Sequence, residues 1–67
     1  MLVTAVLTPD EVGFVAFNPE TGTTTQGDTV EEALENLREA VELYLEDQPL
    51  TRTGPLIVTS IDVRENA

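Results

Sequence analysis

Residues 27–47 read GDTVEEALENLREAVELYLED, and this stretch decides the fold. Apolar side chains recur at Val30, Ala33, Leu34, Leu37, Val41, Tyr44 and Leu45. That i, i+3, i+4, i+7 spacing is one face of an amphipathic helix. Thr29 stands at the N-cap position, and Glu32 three residues later completes a capping box. Pro49 cannot continue a helix. The pattern therefore predicts a helix from Val30 to Asp47, about 27 Å long at 1.5 Å per residue.

Upstream of the helix, Leu2 to Leu7 is rich in β-branched residues and reads as a first strand. Pro9-Asp10-Glu11 with Gly13 is turn chemistry, and Phe14 to Phe17 is a second apolar run. Pro19 and Gly22 mark the next turn, and Thr23 to Gln26 reads as a short polar edge strand. Downstream, Leu50 to Gly54 is a connector and Leu56 to Val63 reads as a last strand. The expected fold is α+β and two-layered, in the order β-β-β-α-β. A right-handed crossover would lay the last strand beside the first. The expected sheet is thus four-stranded, mainly antiparallel, ordered 3-2-1-4 and covered by one helix.

The sheet expected here is apolar on both sides. Leu2 and Val6 alternate with Val3, Ala5 and Leu7, and Phe14 and Ala16 alternate with Val15 and Phe17. Val3, Leu7, Val15 and Phe17 are grouped on one face, against Leu2, Val6 and Phe14 on the other. One helix covers one face only. A second copy or a partner is expected on the open face, giving a homodimer or a tetramer.

With 67 residues the chain is one domain, 1–67, and buries only about 60% of its unfolded surface. It has 13 acids and 3 bases, for a net charge of −10. The bases are Arg38, Arg52 and Arg64, with no Lys, His or Cys. The lack of Cys excludes disulfides and thiolate chemistry, and the lack of His removes the usual general base and metal ligand. Ser60 and the threonines have no His or Lys to activate them. No cation cluster exists for a phosphate backbone, so direct binding to nucleic acid is not expected. No stretch resembles a signal peptide or a membrane span, which predicts a cytoplasmic protein. No cofactor is expected.

Carboxylates are the one plentiful reactive group. Asp28, Glu31 and Glu32 could form an acid/base or metal site, or could simply cap the helix and face its positive dipole end. Asp10 and Glu11 lack the spaced ligands of a calcium loop. The outer helix side is more telling, because Glu31, Glu35, Glu39 and Glu42 repeat along it and Glu46 continues it. Such a row is either a solvated face or a surface kept acidic for a basic partner.

Residues 13–46, GFVAFNPETGTTTQGDTVEEALENLREAVELYLE, resemble the HicB family of antitoxins. The matching parts are Gly13-Phe14, the turn Pro19 to Gly22, Gly27-Asp28-Thr29, Glu31-Glu32-Ala33 and the helix to Glu46. The resemblance implies a partial RNase H-like fold and a toxin–antitoxin role: binding a small basic HicA-type ribonuclease and masking it. It implies no enzymatic activity, and Leu2 to Leu7 lacks the first-strand carboxylates of active RNase H enzymes. No separate C-terminal DNA-binding domain of the kind common in that family is expected. The expected contacts are Glu31, Glu35, Glu39 and Glu42 for steering, with Phe17, Pro19 and Tyr44 as anchors. The runner-up is an orphan oligomeric HicB-like domain with a structural or small-ligand role. A carboxylate-dependent hydrolase ranks last.

Overall fold

Three strands precede one helix in the computed structural model, which describes residues 1–50 and 56–65. β1 spans Val6–Pro9, β2 Phe14–Asn18, β3 Thr23–Gly27, and α1 Val30–Asp47. The strands form an antiparallel sheet of order β1-β2-β3. The Asp10 amide closes the first turn on the Gly13 carbonyl at 2.7 Å. In the second turn the Asn18 carboxamide oxygen accepts from the Thr21 amide at 2.9 Å. Gly22 there has φ +79°, a left-handed conformation that glycine adopts without a Cβ penalty.

The helix forms where the spacing places it. The Thr29 hydroxyl accepts from the Glu32 amide at 3.1 Å, which is an N-cap. Glu32 reaches back to the Asp28 amide at 2.7 Å, one residue before the usual capping-box partner. At the far end the Gln48 amide bonds the Tyr44 carbonyl at 3.0 Å.

α1 packs on β3 and β2. Its Ala33, Leu37 and Val41 bury against Ala16 of β2, and Val3, Leu7, Phe14 and Leu45 pack around them. Two side-chain bonds tie β3 to the helix: Thr25 Oγ1 to the Ala33 carbonyl at 3.2 Å, and Asn36 Nδ2 to the Gln26 carbonyl at 2.7 Å. Gly27 lies so close to α1 that an added Cβ would meet the Ala33 backbone nitrogen.

Four expectations are corrected. The sheet has three strands, not four in the order 3-2-1-4, because residues 56–65 adopt no strand. Ile57, Ile61 and Val63 are 88%, 81% and 66% exposed. A β-branched run prefers strand geometry only where a half-buried surface receives it, and here none does. The first strand begins at Val6 rather than Leu2, because Thr4 bonds to side chains of the second turn. The register pairs Leu7 with Ala16 and Val6 with Phe17. Leu7 therefore joins Phe14 and Ala16 under the helix, while Val6, Val15 and Phe17 share the open face. Leu34, grouped with the core by its spacing, is 37% exposed at the helix flank. The expected connector falls largely on residues 51–55, outside the described residues.

Candidate functional site

The helix places five acids in one row. At about 100° per residue, Glu31, Glu35, Glu39, Glu42 and Glu46 fall within an arc of roughly 80°. All five are exposed, opposite the buried side of Ala33, Leu37 and Val41. Arg38 sits at the edge of this row. Its guanidinium holds Glu35 one turn before it and Glu42 one turn after it, the latter at 3.1 Å. Hydrogen bonding from Arg38, reinforced by its charge, keeps the Glu35 carboxyl below its ordinary range. The Arg38 guanidinium is correspondingly raised, first by its hydrogen bond to Glu35. Among the described residues Glu31, Glu39 and Glu46 have no ion-pair partner. The field of the row is therefore carried mainly by these three.

The expected contact residues do not all share one surface. Phe17 is 39% exposed on the sheet face turned away from α1. Pro19 is half-buried in the β2–β3 turn, and Tyr44 is half-buried on the helix. The acidic row and Phe17 thus look outward from opposite layers. Glu31, Glu35, Glu39 and Glu42 are brought together, and Phe17 and Pro19 are not brought to them. Asp28 and Glu32 are engaged at the helix start through the Asp28 amide and the Glu32 carboxylate. Among the described residues no group of three or more carboxylates converges as a metal site.

The chain matches the model of DUF7387, a family of unknown function, over residues 4–65. It belongs to that family. It is also similar to a UPF0150 protein of Helicobacter pylori (strain J99 / ATCC 700824). The two are 52% identical over 48 residues, which is 70% of this chain and 67% of the relative. No solved structure matches.

In this DUF7387 chain the apolar neighbours of the acidic row are Leu43, which the apolar spacing does not mark, and Leu34, which that spacing assigns to the core. Leu43 is 66% exposed, one turn beyond Glu39 and one turn before Glu46. Leu34 flanks the other side, beside Glu31 and Arg38. Leu43 lies outside the periodic apolar face, so a leucine without a core role was the signal for it.

Proposed function

We propose that this protein is a non-catalytic binding module that docks a small basic protein on the outer side of α1. The observation that carries this reading is the row Glu31, Glu39 and Glu46, without an ion-pair partner among the described residues and bordered by the exposed Leu43. Like charges one turn apart cost a few tenths of a kcal/mol in an isolated helix. A basic partner turns that cost into attraction. The −10 net charge extends the same field over the molecule and disfavours nucleic acid as a direct partner.

The resemblance to HicB antitoxins supports a specific partner class, a small ribonuclease of the HicA type whose RNA-binding surface is basic. In this reading the protein works in the cytoplasm, without a cofactor, by covering that surface. No helix among the described residues is long and apolar enough to cross a membrane.

The test asks first whether an adjacent reading frame encodes a small basic protein that cleaves RNA, as the proposal expects. Purified with this chain, that protein should lose RNA cleavage in proportion to the amount of inhibitor added, reaching full loss at a fixed stoichiometry. Undiminished cleavage at a several-fold excess of this chain contradicts the proposal and favours the orphan-domain alternative.

A further inference from the structure

The chain carries an open apolar groove and, separately, an uncovered apolar segment. The groove consists of two adjoining depressions between residues 1–5 and the flank of α1, lined chiefly by Val3, Leu34, Leu37, Val41 and Leu45, with Arg38 in both and Glu42 in one. The segment is Ile57 to Val63, with Ile57 88%, Val58 67%, Ile61 81% and Val63 66% exposed. Among the described residues no hydrogen bond joins residues 56–65 to the sheet or the helix; the Thr59 hydroxyl bonds the neighbouring Ser60 carbonyl at 3.5 Å.

We propose that the segment Ile57–Val63 of a second copy fills this groove, and that the exchange is reciprocal. Extended backbone places alternate residues on opposite sides, so Ile57, Ile61 and Val63 share one side. That side, with Thr59 between Ile57 and Ile61, enters the groove against Leu34, Leu37 and Val41, and Val58, Ser60 and Asp62 lie on the outer side. A two-fold arrangement fills both grooves with both segments and leaves neither over. The charge distribution selects the same contact. Two copies at −10 each repel, but Leu56 to Ile61 carries no charge, and apart from Thr4, Arg38 and Glu42 the groove is lined by apolar side chains. Energetics point the same way, since the buried apolar core consists of Ala16, Ala33, Leu37 and Val41. A core of that size needs added burial, and oligomerisation is a common source of it.

Cysteine pairs test the exchange, because the chain has no cysteine of its own. Leu34→Cys and Ile61→Cys chains, purified separately and mixed under mild oxidation, should form a disulfide-linked dimer of twice 7.3 kDa. The mixed pair should exceed either self-pair several-fold. Without cysteines, the wild-type chain should sediment as a dimer at micromolar concentration. Ile61→Asp should fall to the single-chain mass with its helical circular dichroism unchanged. Added salt should strengthen the dimer by screening the repulsion, whereas it should weaken docking of a basic partner. The two readings therefore fail separately. A Leu34→Cys, Ile61→Cys double variant that closes within one chain as a monomer overturns the proposal. So does a wild-type chain of single-chain mass, or an absence of any mixed disulfide.

Discussion

Thr4 grips both carboxylate oxygens of Glu20: its amide donates to Oε1 at 2.9 Å and its hydroxyl to Oε2 at 2.8 Å. The fully buried Asn18 completes this clasp. Its Nδ2 donates to the Thr4 carbonyl at 2.7 Å and to Glu20 Oε1 at 2.6 Å. Residues 1–5 are thereby fixed to the β2–β3 turn through side chains, and they form one wall of the groove along α1.

The clasp makes stability depend on acid. Burial opposes the charged form of Glu20, but the donors Thr4, its own amide and Asn18 outweigh it, so the carboxyl lies below its ordinary value of 4.5. A group depressed in the folded state binds protons more tightly when unfolded. Its contribution is complete above the ordinary carboxylate value and is lost as pH falls through the folded value. Denaturant midpoints measured from neutrality down through the carboxylate range should therefore decline, and Glu20→Gln should flatten that decline. Equal acid slopes for the two proteins would show that the clasp has no energetic role.

Thr29→Ala removes the acceptor that caps the Glu32 amide. The expected loss is about 1 kcal/mol, read as a lower urea midpoint with an unchanged slope. Thr29→Ser should retain most of the stability. A loss below about 0.3 kcal/mol for alanine would mean that the hydroxyl does not act as a cap.

Gly27→Ala should cost more than its small size suggests. The added methyl would press on the Ala33 backbone nitrogen, which belongs to the first turns of α1 and cannot rotate away. Overpacking of this kind costs about 1–3 kcal/mol. Thermal melts should show the drop, and a neutral outcome would place the β3–α1 junction farther apart than described.

The helix was legible in the sequence because its signals are local. Thr29, Glu32 and the run Ala33, Leu37, Val41 sit within a few turns of one another, and a tertiary fold had only to accept them. The start of the first strand was not legible, since Thr4 leaves the ladder for Glu20, 16 residues away. Asn18 gave a partial sign, because Asn before Pro favours a turn closed by its own side chain. The last strand failed for a different reason. Leu56 to Val63 has the composition of a strand, but composition does not supply a surface to pair with. The acidic row was readable from its near-four-residue spacing, and the pairing of Arg38 with Glu35 and Glu42 follows from the same i, i+3 and i, i+4 geometry. The separation of Phe17 from that row was not foreseen, because it follows from the Val6–Phe17 register.

The outer side of α1 is the proposed docking surface. Its most direct test is the salt dependence of the association rate with the small basic protein that the proposal expects an adjacent reading frame to encode. Stopped-flow fluorescence on the wild type and on Glu31→Lys, Glu39→Lys would measure it. Steering by surface charge is strong at low salt and fades within a Debye length of about 8 Å at physiological salt. The wild type should associate at least ten-fold faster at low salt than at high salt, and the double variant should lose most of that acceleration. Equal rates and equal salt slopes for the two proteins would contradict the claim and show the acidic row to be a solvated face.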